Sequence, residues 1–314
     1  MKAIVFDLGG TRIKLGLVSV SEIIIESILP SFSSDGLIPR LKVIEAAVAD
    51  MLAKTKTHVS ELIGVGVSIP GIVDTKKMRV LSINKKFADV TEFDFNAWTQ
   101  KTWGLPVYLE NDARAALIGE WKYGAGRGCD NIVLVTLGTG IGGAAMIEGK
   151  LLRGKHYQAG CLGGHFTINI NGTKCTCGNV GCMESEASTW RLPELYKQHP
   201  DFKKSKASTS KILDFETLFT LAEHGDETST DIMLHCLEAW SAGIVTMIHA
   251  YDPEKVIIGG GVMKSEKIIL PYIRKKVSQH AWTPWGNVEI EGAKFTDHAG
   301  MLGIAYLLNK QLIE

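Results

Sequence analysis

Three of the six cysteines fall within eight residues, Cys175-Thr-Cys177-Gly-Asn-Val-Gly-Cys182, and His165 stands ten positions ahead of Cys175. Three thiolates and an imidazole form the closed tetrahedral set that Zn²⁺ takes in structural sites. Glu184 follows at once in Gly-Cys-Met-Glu-Ser-Glu. A metal that fixes this turn also fixes a carboxylate beside it. The cluster therefore reads as a brace beneath a reactive site rather than as a free-standing zinc finger.

Two glycine turns offer a second kind of chemistry. Asp7-Leu-Gly9-Gly10-Thr11 closes the first apolar run, with Lys14 three residues further on. Adjacent glycines let the backbone turn sharply and approach a ligand closely. Their N–H groups, the Thr11 hydroxyl and Lys14 together make an anion-binding concavity. Asp7 would repel a phosphate, and a Mg²⁺ or its waters would reconcile the two. An ordinary β-hairpin accounts for the same glycines.

Gly138-Thr139-Gly140-Ile-Gly-Gly143 fits the Gly-x-Gly-x-x-Gly pattern, but it leads into Ala-Ala-Met-Ile-Glu148, which reads as a strand from 144 to 148. A dinucleotide fingerprint needs a helix there and an acidic residue about 20 positions on, so that reading fails. A phosphate-cradling turn between two strands survives. Gly259-Gly260-Gly261-Val-Met263-Lys264-Ser265 lacks the glycine that a Walker A loop places before its lysine.

The carboxylate best placed for proton transfer is Asp112, in Glu110-Asn111-Asp112-Ala-Arg, between an expected strand and an expected helix. One reading makes it the helix N-cap. The other makes it a base within reach of a substrate hydroxyl, orienting that group and accepting its proton.

The elements that must position these residues form a repeating pattern. Residues 3–8 read as a buried strand, followed by short β-branched runs at 13–20 and 22–29, a meander. Apolar spacing predicts a helix over 38–56. A strand at 62–69 ends at Pro70-Gly71; a helix near 95–103 and a strand at 106–110 follow. The same grammar restarts with a strand at 131–137, and after a helix-rich stretch from 185 to 251 comes a buried strand at 255–259. Two halves that each open with strand, Gly/Thr turn, strand point to a duplicated α/β domain. The polar, basic stretch 199–211 reads as a solvated surface loop.

With 314 residues, 45% of them hydrophobic, the chain can bury a large core. Its 34 basic and 34 acidic residues balance, so it lacks the basic footprint of a nucleic-acid binder. Scattered Cys129, Cys161 and Cys236 do not resemble a secreted disulfide framework, and we expect reduced thiols and a cytoplasmic location. The N-terminus has no signal-peptide pattern. No uncharged apolar run reaches the ~18 residues of a membrane span. His156, His235 and His249 read as surface or core histidines, and Trp282 and Trp285 as packing or interface residues.

Taken together, the chain resembles the ROK family (repressors, open reading frames, kinases) of sugar kinases, within the actin-like ATPase fold. The resemblance runs over essentially the whole chain. It rests on Asp7-Leu-Gly-Gly-Thr11, Ser68-Ile-Pro-Gly71, Glu110-Asn-Asp112, Gly138-Thr-Gly-Ile-Gly-Gly143, the His165/Cys175/Cys177/Cys182 set and Gly259-Gly-Gly261, all in family order. It implies an α/β fold of duplicated actin-like (ribonuclease H-like) domains, two lobes around a central cleft. The small lobe is expected over 1–111, completed by a C-terminal helix at 300–314. The large lobe is expected over 112–299, with the zinc-binding loop. It further implies that the turns at Asp7, Gly9, Gly10, Thr11 and Lys14 and at Gly138, Thr139 and Gly140 hold the ATP phosphates. Gly259, Gly260 and Gly261 would lie at the nucleotide. Asp112 would be the catalytic base. Asn111, Asp112, Glu184 and His165, through its free ring nitrogen, would bind sugar hydroxyls, with Gly71 and Asn84 lining the pocket. The implied cofactors are ATP, Mg²⁺ and a structural Zn²⁺, and the implied assembly is a homodimer that binds neither nucleic acid nor membrane.

One departure stands out. The family places Glu three residues before the metal-binding histidine, and here that residue is Leu162 in Ala159-Gly-Cys-Leu162-Gly-Gly-His165. Loss of a hydroxyl-binding carboxylate should change sugar preference or weaken binding. The alternatives to a kinase are a regulatory sugar-sensing member and a catalytically idle sugar binder. Asp7 lies six residues from the first residue, so we expect no DNA-binding segment ahead of it, and an intact Asp112 argues against idleness.

Overall fold

The computed structural model describes residues 1–19, 22–295 and 297–313. Val20, the last residue of the expected second strand, and Glu314, the end of the expected C-terminal helix, lie outside them. The chain divides into two compact units. The first holds Met1–Gly128, Arg153–Cys161 and the stretch from Asp297 onward; the second holds Cys129–Leu152 and the stretch from Leu162 up to Asp297.

In the first unit, β1 (Lys2–Leu8), β2 (Arg12–Ser19) and β3 (Glu22–Pro30) form the expected meander. β1 is buried on both faces, as a central strand requires. β3 alternates along its length, as an edge strand with one wet face does. α1 (Leu41–Thr55) buries Ile44, Val48 and Met51 at helical spacing and stops at Lys56, whose φ of 52° is left-handed. β4 (Leu62–Ile69) is followed by the small ribbon β5 (Ile72–Asp74) and β6 (Arg79–Ser82), then α2 (Phe95–Trp103), β7 (Val107–Asn111) and α3 (Asp112–Tyr123). The main sheet has the order β3-β2-β1-β4-β7.

The second unit repeats the plan with β8 (Ile132–Leu137), β9 (Ile141–Ile147) and β10 (Lys150–Leu151). β9 begins earlier than expected: Gly142 and Gly143 pair with Thr136 and Val135 as strand residues. Side-chain pattern cannot reveal this, because glycine contributes no side chain to either face. Four helices follow: α4 (Met183–Ala187), α5 (Leu192–Gln198), α6 (Phe215–Glu223) and α7 (Glu227–Tyr251). β11 (Lys255–Gly259), α8 (Glu266–His280) and β12 (Glu289–Gly292) complete the unit, and the sheet order is β10-β9-β8-β11-β12. α7 is long and apolar enough to cross a membrane, but it buries Ile232, Cys236, Trp240, Ile244 and Met247 in the unit's own core.

The stretch at 199–211 is largely exposed, as expected of a solvated surface segment, but it also forms short turns that bury Ser205 and Ala207. The Ser205 hydroxyl donates to Asp226 Oδ1 (2.9 Å) and the Lys206 N–H to Oδ2 (2.8 Å), which fastens the segment to the N-cap of α7.

The chain ends in α9 (Ala299–Ile313), which returns to the first unit and packs on α3. The helices touch backbone to backbone: a Cβ at Gly303 would lie 1.8 Å from Ala115 O, and one at Gly119 2.1 Å from Ala299 O. This contact holds Asp112–Tyr123 in the first unit, so the division expected after residue 111 falls instead after Gly128.

Candidate active site

In the first unit the candidate residues gather where strands end. Asp7, near the end of β1, is flanked in the sheet by Lys14 of β2 and Ser68 of β4, and Ser68 is flanked in turn by Glu110 of β7. The Ser68 hydroxyl donates to Asp7 Oδ1 at 2.9 Å. Burial raises the Asp7 carboxyl above its ordinary range, and the Lys14 charge opposes that shift. The Lys14 ammonium is itself engaged, donating to the Asp297 carbonyl (2.6 Å) and to its carboxylate (3.0 Å). The Gly9–Gly10 turn is held by Ser33, whose hydroxyl donates to Gly10 O at 2.7 Å, and Thr11 is exposed at its tip.

The N-cap of α3 is Asn111, whose Oδ1 accepts the Arg114 N–H at 3.1 Å. Asp112 is thereby relieved of capping. Its Oδ1 accepts from the Ala113 N–H (2.8 Å) and the Asn111 amide (3.1 Å), and none of the described bonds ends on Oδ2. Burial raises the Asp112 carboxyl, partly offset by the Ala113 hydrogen bond and the Lys86 charge. The Asn111 amide also donates to Gly71 O at 3.0 Å, while Asn84 lies exposed between β6 and α2.

A buried charge network beneath these residues was not legible in sequence. Glu110 and Arg114 are both 0% exposed. Glu110 accepts from Arg153 Nη2 at 2.6 Å, and Arg114 Nη2 donates to the carbonyls of Tyr157 (3.0 Å) and Ala159 (2.7 Å). The segment from Arg153 to Cys161 is thus strapped to the first unit. A charged residue four positions from another on a strand-to-helix junction gives no sign of partners some forty residues away.

In the second unit His165, Cys175, Cys177 and Cys182 converge, with their ligand atoms all within 4.8 Å of one another. Cys177 and Cys182 Sγ are 3.7 Å apart, and Cys175 Sγ lies 3.6 Å from His165 Nδ1. A tetrahedral zinc with Zn–S bonds of about 2.3 Å would set its sulfurs about 3.8 Å apart, so the donor set fits that ion. Burial, followed by the neighbouring sulfurs, pushes the Cys182 thiol up to about 12, a cost a bound dication would reverse. Because Nδ1 faces the sulfurs, Nε2 is left on the other side of the ring. Leu162 is half-buried, and its carbonyl accepts the His165 N–H at 2.9 Å.

Glu184, on α4 just past the cysteines, accepts the Ile141 N–H at 2.9 Å. It thus ties the metal loop to the second glycine turn. That turn is also held from outside: the Thr189 hydroxyl donates to Gly138 O (2.8 Å) and the Trp190 N–H to Thr139 O (3.4 Å). The third glycine run lies beside it. Gly260 has φ 94°, and a Cβ there would sit 2.2 Å from Leu137 O, so only glycine fits between Gly259 and Gly261. A cavity of about 530 Å³ between α8 and β12, lined by Arg274, Ser278, Thr283, Asn287 and Glu291, contains none of these residues.

Comparison with known proteins agrees with this arrangement. The ROK family model matches residues 3–311. A glucokinase of Thermotoga maritima is 34% identical over 99% of this chain and 98% of its own. The xylose repressor of Bacillus subtilis is 30% identical over 79% of this chain and 61% of its own. Among solved structures, a ROK family glucokinase from Streptomyces griseus in complex with glucose and AMPPNP superposes with a TM-score of 0.81 at 28% identity, covering 99% of this chain and 100% of its own. With matched motifs, a matched fold and a family model spanning nearly every residue, this chain belongs to the ROK family.

Proposed function

We propose that the protein is an ATP-dependent sugar kinase that phosphorylates a hexose hydroxyl, with Asp112 as the base. The observation that carries this reading is the half-buried Asp112 carboxylate, held through Oδ1 among the described hydrogen bonds, at a junction where Asn111 supplies the cap. The glucokinase relatives support the reaction class.

In the proposed reaction a sugar hydroxyl gives its proton to Asp112 Oδ2 as its oxygen bonds the γ-phosphorus. The bond from that phosphorus to the β–γ bridging oxygen breaks, and ADP leaves. A base whose pKa is raised lies nearer the working pH and accepts a proton more readily. Little covalent chemistry is asked of the protein beyond positioning and charge stabilisation. The Gly9–Gly10 and Gly138–Gly140 turns would hold phosphates through their N–H groups, and Gly259–Gly261 would lie against the nucleotide. Mg²⁺, when bound, would neutralise phosphate charge, with Asp7 holding it through water. His165, Cys175, Cys177 and Cys182 would hold a structural Zn²⁺ that fixes His165 Nε2 and Glu184. Asn111, His165 and Glu184 would bind sugar hydroxyls, with Gly71 and Asn84 at the pocket. A homodimer and a cytoplasmic location belong to the same proposal.

The test is an ADP-release assay over hexoses and N-acetylhexosamines, with mass and NMR identification of the product. We expect one sugar phosphate per ADP for at least one hexose. Sugar binding without turnover of any of them would overturn the kinase and favour the sugar-sensing reading, to which the xylose repressor similarity points.

A further inference from the structure

The cation that the sequence offers to the first glycine turn is already bound: Lys14 donates twice to Asp297. A different lysine lies over that turn. A Cβ at Gly10 would sit 2.7 Å from Lys86 Cε and 3.1 Å from Lys86 Nζ, so the Lys86 side chain lies directly against the Gly10 backbone. Among the described residues no hydrogen bond or ion pair ends on the Lys86 ammonium. Its charge nonetheless reaches the Asp112 carboxyl, where it is the leading lysine influence.

This placement is built by the backbone. The residues on either side of Lys86 are both left-handed, Lys85 at φ 56° and Phe87 at φ 46°. Phe87 is fully buried and anchors the loop in the first core. Its N–H donates to Ser33 O at 2.6 Å, while the Ser33 hydroxyl donates to Gly10 O at 2.7 Å. One serine therefore brackets the glycine turn and the Lys86 loop together. Two non-glycine residues held left-handed cost free energy unless surrounding contacts impose the conformation. Here they aim an ammonium across the turn.

We propose that Lys86 is a catalytic residue of the kinase, its ammonium pairing with the non-bridging oxygens of the γ-phosphoryl group as that group passes to the sugar. The assignment rests on the kinase reading above. Lys86 neither gives nor takes a proton in this step. The hydroxyl proton goes to Asp112, the P–O bond to ADP breaks, and Lys86 holds negative charge on the group between them. A cation in this role acts where charge sits in the transition state. It also keeps the phosphoryl group and the Asp112 carboxylate from repelling each other.

The test compares Lys86→Met, Lys86→Arg and the control Lys85→Met, whose lysine is exposed. In the full-length protein, Lys86→Met should lower kcat by about 10²- to 10³-fold, the loss typical of one charge-stabilising donor. Lys86→Arg should recover a substantial part of it, and Lys85→Met should match the wild type. Calorimetry supplies a readout independent of turnover. Lys86→Met should weaken AMPPNP binding tenfold or more, as loss of a charge-assisted hydrogen bond does, and ADP binding less than about twofold. Unfolding temperature should be unchanged. Wild-type phosphorylation with kcat of Lys86→Met within about threefold of it would overturn the Lys86 assignment alone, as would equal losses for AMPPNP and ADP. A wild-type protein that turns over no hexose overturns the kinase reading, and the Lys86 assignment with it.

Discussion

The two glycine turns occupy the same place in two sheets of the same strand order, yet they are chemically unlike. Across the first sheet, one row of residues reads Lys14, Asp7, Ser68, Glu110. The matching row of the second reads Gly142, Thr136, Gly259. The first turn is surrounded by ionisable groups whose charges are held in place by burial and pairing. The second presents bare backbone, stiffened from outside by Glu184, Thr189 and Trp190. Duplicated topology thus yields one turn in register with ionisable strand residues and one in register with none. The lesson is that topology places a turn, while the residues in register with it decide its chemistry.

The strongest way to break this contrast is at Asp112, the proposed base beside the charged row. Asp112→Asn should lower kcat by about 10³-fold or more, read by steady-state kinetics, with zinc content unchanged. Its folded pKa is raised, so above that pKa the buried charge opposes folding, and the opposition fades as pH falls through it. The Asn variant should therefore unfold at the same or a higher temperature than the wild type at pH 7. For the wild type, the same sign should place the acid limb of kcat/KM above the ordinary carboxylate range, since the proposed base acts in its ionised form.

Next in size is Asp7→Asn, which removes the carboxylate of the charged row. We expect about a 10²-fold loss of kcat and a weaker Mg²⁺ dependence, measured by metal titration. Cys177→Ser should release the metal, seen by elemental analysis, and lower kcat/KM for the sugar by about 10- to 100-fold as Glu184 and His165 loosen. An unchanged metal stoichiometry would remove the brace from the account. The smallest effect belongs to Thr136→Val, the counterpart of Asp7 in the uncharged row. It should leave kcat within about threefold of wild type, and a loss comparable to that of Asp7→Asn would erase the contrast.

Much of this molecule was legible in its sequence. The strand–turn–strand grammar announced both sheets, because buried central strands need continuous apolar runs and tight hairpins need glycine. The His165/Cys175/Cys177/Cys182 set was legible because metal ligands must be particular residue types at short spacings, and the structure brings all four together. Asp112 could be singled out, but not separated from a helix cap. That question was settled by backbone geometry, which makes Asn111 the cap.

Other features depended on contacts far apart in the chain. Lys14 looked like the anion-binding cation until Asp297, remote in sequence, was found to hold it. Lys86 stood in an unremarkable polar loop, and Ser33, bridging Gly10 and Phe87, ties that loop to the first turn. The stretch at 199–211 had a loop's composition but is fastened by Asp226. The sequence by itself determined the elements, the metal-binding residue types and the candidate base, because propensity, periodicity and ligand spacing act locally. Tertiary structure alone decided which charges are free and which are paired, because ion pairing and burial depend on distances that only the folded chain sets.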